Sequence, residues 1–298
     1  MIHLHGWSHY SMLMAIWKTQ DIIQKAKDNN QDAIAITDLN SGYGLLEFYE
    51  KAKDIKPILG TDIYFSYDWK KFMNIVLLAK NYQWYKNIIK LISIANTENI
   101  KQIPYIKMEN LKKYSDGIIA LSWWNGEIEE LITSQEPKEL ILDKILEYEE
   151  IFNWEFYLEF ITYDYKIVPE RKKIEETFLE YIKKHNKKWV VSSNYKYIEK
   201  EDKQAYDVLL CIKNNWKYYD PKRPKIKWDF HIMIEDEVRK ILSKNGIKED
   251  FQEYLIENTH KISDSIDCKI PLWNLLFPKY VVPEKYENLY KKINKNAN

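Results

Sequence analysis

Ile2-His3-Leu4-His5-Gly6-Trp7-Ser8-His9, followed some thirty residues later by Ala33-Ile34-Ala35-Ile36-Thr37-Asp38-Leu39, decides how this chain is read. Each stretch is an apolar run of strand length that ends in residues able to bind protons or metals. On a strand, His3 and His5 fall on one face. A parallel barrel delivers metal ligands to one rim in this way, from the ends of successive strands.

Working outward, apolar runs near 2–5, 33–37, 57–65, 72–79, 117–122, 155–160 and 188–192 read as strands. Amphipathic segments from Thr19 to Asn29, Gly42 to Lys53, Tyr82 to Ala95, Pro137 to Phe152 and Pro169 to His185 read as the helices between most of them. Alternation of this kind predicts an α/β fold with a parallel sheet and crossover helices. About seven strand–helix units within the first 215 residues suit a closed or distorted barrel better than an open sheet. From Lys213 onward the pattern loosens into a Pro- and Lys-rich loop (Asp220 to Lys227), a short strand around His231, two helices and an extended tail.

Lysine plus arginine and aspartate plus glutamate each number 45, so no global field holds the protein on nucleic acid or an anionic membrane. Binding of that kind needs a local patch. Arginine occurs only at Arg171, Arg223 and Arg239, which leaves few planar forks for bidentate phosphate or base contacts. The mixed stretches Trp216-Lys217-Tyr218-Tyr219 and Lys225-Ile226-Lys227-Trp228 read either as a stacking platform for single strands or as half-buried loop packing with solvated lysines. Two cysteines, Cys211 and Cys268, exclude a disulfide framework or a CxxC metal site. With no apolar run near the roughly 20 residues that span a bilayer, a soluble cytoplasmic protein is expected.

With the elements placed, the chain resembles the PHP domain (polymerase and histidinol phosphatase domain) that opens the α subunit of bacterial DNA polymerase III. The family pattern H-L-H-x-H-[ST]-x-[YF]-S-L-L-D-G is similar to His3 through Ala15. Its T-D-H-x-x-x-x-G-x-x-E-F-Y and K-P-I-x-G-x-E are similar to Thr37-Asp38-Leu39 … Gly44-Leu45-Leu46-Glu47-Phe48-Tyr49 and to Lys56-Pro57-Ile58-Leu59-Gly60-Thr61-Asp62. Segments at 77–81, 120–127, 206–212 and 257–259 resemble family segments in the same order. The resemblance implies a distorted seven-stranded (β/α) TIM-like barrel. It assigns residues 1–270 to the PHP domain, with a barrel core to about 215 and a helical extension to about 270, and makes 271–298 a linker toward a polymerase core.

An active site of this family gathers about nine ligands around up to three divalent metals, which activate water for phosphoester hydrolysis. Carried over position by position, the resemblance assigns those places to His5, Trp7, Met14, Leu39, Asp62, Asn74, Trp124, Asn194 and Lys196. His5 keeps an imidazole and Asp62 keeps a carboxylate where the family has glutamate. Trp7 stands for a histidine, Met14 for an aspartate, Leu39 for a histidine, Asn74 for a histidine and Trp124 for a cysteine. Asn194 replaces a bridging carboxylate, and Lys196 puts a cation where a histidine belongs.

Two ligands do not hold a catalytic cluster, so the expectation is a PHP domain with a degenerate metal site, no catalytic residues and no cofactor. Trp7, Trp123 and Trp124 are expected to fill with apolar volume the space that metals and water occupy in active relatives. The rival expectation is residual phosphoesterase or 3′–5′ exonuclease activity with zinc or manganese at His5 and Asp62. His9 is expected in a loop beyond the first strand, as a surface histidine or as part of a rebuilt site with His3, His5 and Asp38 or Asp62.

By resemblance, the chain is part of a DNA-directed DNA polymerase, a nucleotidyltransferase whose catalytic acids lie elsewhere. Its expected role in replication is to buttress the polymerase core and to dock a proofreading exonuclease subunit, meeting DNA only indirectly. A free-standing binding module is the other expectation.

Overall fold

The architecture is taken from a computed structural model that describes residues 1–98, 103–122, 126–272 and 286. Seven strands build one sheet: β1 (Ala33–Ile36), β2 (Lys56–Ser66), β3 (Met73–Ala79), β4 (Ile106–Lys107), β5 (Ile118–Leu121), β6 (Phe156–Ile161) and β7 (Trp189–Ser192). The order is β1-β2-β3-β5-β6-β7, with β4 paired beside β2. Strands such as Met73-Asn74-Ile75-Val76-Leu77-Leu78-Ala79 are buried along their whole length, as strands covered on both faces must be.

The sheet is mixed, which corrects the expectation of an all-parallel barrel. β1–β2, β2–β4, β5–β6 and β6–β7 run parallel, whereas β3 is antiparallel to both β2 and β5. The cause is the short link from Ser66 to Met73, since a parallel return needs a crossover of a dozen or more residues. Reversal of β3 also explains why a family ligand position, Asn74, stands at the beginning of its strand and not at the end. In an antiparallel strand the beginning reaches the rim.

A second correction concerns residues 2–5, which are extended but form no ladder strand. They make isolated parallel bridges instead: His3 pairs with Ile34 of β1, and Gly6 with Tyr195 beyond β7. The amide of Ala35 donates to His3 O at 2.8 Å, Thr37 N–H to Gly6 O at 2.8 Å, and Trp7 N–H to Tyr195 O at 2.9 Å. One short segment thereby joins the two ends of the curled sheet into a distorted TIM-like barrel. Gly6 is required at the seam, because a Cβ there would lie 2.0 Å from Cε1 of the fully buried Tyr195 ring.

Helices α1 (Thr19–Asp28), α2 (Leu45–Lys51), α3 (Tyr82–Thr97), α6 (Lys138–Ile151) and α7 (Pro169–His185) lie where apolar periodicity places them. In α3 the Asn81 side chain accepts from the amides of Gln83 and Trp84, and Ile88, Leu91 and Ala95 form its buried face. Helices α4 (Met108–Tyr114), α5 (Glu127–Thr133) and α8 (Lys203–Lys213) were not expected, and neither was β4. Helices α9 (Glu235–Lys244) and α10 (Glu249–Ser265) are the two expected near the end.

The strand expected around His231 is absent. That stretch is held instead by the bonds of Lys196 N–H to Phe230 O at 2.8 Å and of Ile232 N–H to Ile198 O at 3.3 Å. Met1–Cys268 forms one compact unit and Lys269–Asn298 a second. No helix among the described residues is long and apolar enough to cross a membrane.

Candidate functional site

His5 lies fully buried inside the rim. Its Nδ1 is 2.8 Å from Glu159 Oε1 on β6, and its Nε2 faces Asp62 Oδ2 on β2 at 3.9 Å. Asn74 donates from Nδ2 to the other Asp62 oxygen over 2.8 Å. Burial opposes a charged imidazole, but the carboxylates of Glu159 and Asp62 outweigh it and hold the His5 pKa up at about 9. An imidazolium has no lone pair to offer a metal.

Three other family positions come together as carbon. Trp7 and Ala15 form a buried cluster, and Met14 and Leu39 pack against it. The Lys196 ammonium lies 4.3 Å from the centroid of the Trp7 ring and 4.3 Å from that of Phe230, so it rests between two aromatic faces. Leu39 also bridges Asp62, which brings the rim ends of β1 and β2 side by side. Of the remaining positions, Asn194 is buried with a left-handed backbone (φ 47°), a conformation asparagine tolerates better than most residues. Trp123 and Trp124 lie outside the described residues.

Asp38 is absorbed by the loop that follows the first segment. Its carboxylate accepts from Ser8 N–H at 2.7 Å, Ser8 Oγ at 2.7 Å and Ser11 Oγ at 2.6 Å. Burial lifts its pKa to about 6 against the pull of these donors. His3 is likewise engaged at both nitrogens. Nε2 donates to the Met233 carbonyl at 2.9 Å, so Nδ1 must accept from Ser193 Oγ, also at 2.9 Å. Burial lowers the His3 pKa to about 4, which keeps the ring neutral.

The half-buried His9 lies in the loop, its ring 4.3 Å from that of Tyr10. The structure therefore does not assemble His3, His5 and His9 around one point. Among the described residues no group of three or more His, Cys, Asp or Glu side chains could hold a metal ion.

Sequence reasoning missed Glu159, the partner that fixes His5. It stands alone in Phe156-Tyr157-Leu158-Glu159-Phe160-Ile161, and a carboxylate in so apolar a strand needs a buried partner, which is the signal that points to it. Also missed was the cluster around Arg171. This fully buried guanidinium donates to Glu129 Oε1 at 2.8 Å and to Glu175 Oε1 at 3.0 Å, and it lies 5.9 Å from the Tyr163 ring. Burial pushes both glutamates up to about 7 although Arg171 opposes the shift.

The donor set does not fit a multinuclear metal centre. Indole, thioether and leucine side chains fill three positions, an ammonium fills a fourth, and the Asn74 amide turns its N–H toward the one remaining carboxylate. His5 alone retains a ligand-like setting, because a carboxylate on one ring nitrogen is how proteins orient metal-binding histidines.

A strand–helix barrel carrying these positions on its rim is the architecture of the PHP domain, and the model of that family matches residues 3–162. The chain belongs to the PHP domain family. Its curated relatives include DNA polymerase III subunit alpha of Borreliella burgdorferi, 31% identical over 97% of this chain and 26% of the relative. That of Thermus aquaticus is 29% identical over 95% of this chain and 24% of the relative. The chain thus spans about a quarter of the length of these relatives. Among solved structures, an amidohydrolase from Chromobacterium violaceum superposes with a TM-score of 0.46 at 12% identity, covering 65% of this chain and 87% of the other.

Proposed function

We propose that this chain serves as a catalytically silent PHP domain of a replicative DNA polymerase III α subunit. Its part in replication is to support the polymerase core and to offer a docking surface for a proofreading exonuclease. Nucleotidyl transfer belongs to the polymerase core. The names of the relatives support the assignment to that subunit. The observation that supports the silence is the cluster of Trp7, Met14 and Leu39 at three positions the resemblance assigns to ligands, since indole, thioether and alkyl side chains offer a hard divalent cation no oxygen or imidazole donor.

Metal analysis of the purified chain together with a phosphoester assay in manganese or zinc tests this reading. The expected result is less than one equivalent of metal and no turnover. One or more equivalents, with turnover abolished by His5→Ala, would overturn it in favour of a residual metallophosphoesterase. The setting of His5 between Glu159 and Asp62 is the observation that favours this second reading. For the partners, co-expression with the polymerase core of the same subunit should give a complex that survives gel filtration, and the exonuclease subunit should be retained on the immobilised chain. Recovery of neither points to a free-standing binding module.

A further inference from the structure

Beside the filled metal positions, α8 and the loop from Asp220 to Phe230 enclose a cavity of about 340 Å³. Its walls carry Lys196, Lys213 and Lys225 together with Trp216, Trp228 and Phe230. Among the described residues that line it one is acidic, Asp207, and that carboxylate is consumed by Arg223 through two bonds of 2.7 and 2.6 Å. No carboxylate among the described residues pairs with any of the three lysines. Lys196 touches aromatic rings, and Lys213 is directed to the Met14 sulfur.

Three lysines with no carboxylate at ion-pair distance among the described residues, in a wall that is largely aromatic and apolar, create a site for an anion that also carries a flat apolar face. Lys196 and Lys213 are desolvated in part, and a bound phosphate gives them a counter-charge. Trp216 is 41% exposed, so its ring has a face free to stack. The volume lies at the lower end of the range for ligand pockets, about 300–1,000 Å³, which is room for one nucleotide and not for a longer segment.

We infer that this cavity binds a nucleoside phosphate, with the phosphate held by Lys196 and Lys213 and the base stacked on Trp216. The ligand is bound without being cleaved, and its source is either a free nucleotide or the terminal nucleotide of a single strand. The inference goes beyond the structural role proposed above and does not depend on it, because no metal takes part.

The test is calorimetric titration of the whole chain in EDTA with dAMP, deoxyadenosine, inorganic phosphate and a 5′-phosphorylated (dA)4. Saturable binding of one dAMP or one (dA)4 per chain is expected, weakened about tenfold or more by Lys213→Gln and about fivefold or more by Trp216→Ala. Both substitutions are at exposed positions, so the fold should persist, which circular dichroism checks. Binding of dAMP as tightly as (dA)4 identifies the free nucleotide, and binding of (dA)4 alone identifies the strand end. The inference is overturned if neither binds up to millimolar concentration. It is equally overturned if phosphate or deoxyadenosine alone binds as tightly as dAMP, or if the two variants bind like the parent. Since EDTA is present throughout, a failure here leaves the reading of the metal positions untouched, and bound metal found in the earlier assay leaves this one untouched.

Discussion

On one side of the barrel rim Trp7, Met14 and Leu39 pack carbon against carbon; on the other His5, Asp62, Asn74 and Glu159 form a buried polar chain. Both regions hold positions that the resemblance assigns to metal ligands. The apolar side is stabilised by volume and dispersion among side chains that carry no charge of their own. The polar side depends on each charge keeping its partner, since a buried ion pair is cheap only while complete. The two regions thus hold the rim in two ways, by filled volume and by residues that neutralise one another.

The largest expected effect is on the polar side. Glu159→Ala leaves the His5 imidazolium with one carboxylate fewer in a dry setting, and should cost about 3–5 kcal/mol in urea unfolding. A loss below about 1 kcal/mol would mean that charge does not hold this region. Next comes the apolar side, where Trp7→Ala should cost about 3 kcal/mol and Trp7→Phe under about 1.5 kcal/mol, because volume is what matters there. Equal losses for both substitutions would assign the role to the indole N–H.

Titration sharpens the contrast further. His5 has its folded pKa raised to about 9 from 6.5, so its contribution is complete below pH 6.5 and lost as pH rises toward 9. His3 has its folded pKa lowered to about 4, so its contribution is complete above pH 6.5 and lost as pH falls toward 4. Each is worth about 3 kcal/mol, and melting curves across this range should show His5→Gln flattening the alkaline limb and His3→Asn the acid limb. Trp7→Phe should change neither limb. A small effect is also expected for Ser11→Ala, about 1–2 kcal/mol, because Ser8 continues to hold Asp38.

Much of the barrel was legible. Uniform apolar runs such as Ala33–Ile36 and Met73–Ala79 leave little choice but buried strands. Strand direction was not legible from periodicity, which is the same for both senses. The Ser66-to-Met73 link held that information, being too short for a crossover. The two-residue β4 and the seven-residue α4 and α5 are too short for a periodic signal, and tertiary contact decides them. Glu159 and Arg171 were passed over because pairing between distant buried charges leaves no local pattern. The His5 partner of Glu159 lies 154 residues away and the Glu129 partner of Arg171 42 residues away, although its second partner, Glu175, is one helical turn on.

The seam formed by Ile2 to Trp7 also sets an order in time. Gly6 leaves the ribosome well before its bridging partner Tyr195, which is made roughly 190 residues later. At about 5–20 residues per second, that is a wait on the order of ten to forty seconds during which both edges of the growing sheet stay open. An apolar segment waiting that long is a natural client for a chaperone. Slowing translation between α7 and Tyr195 should lower the soluble yield more than the same pause placed after α8.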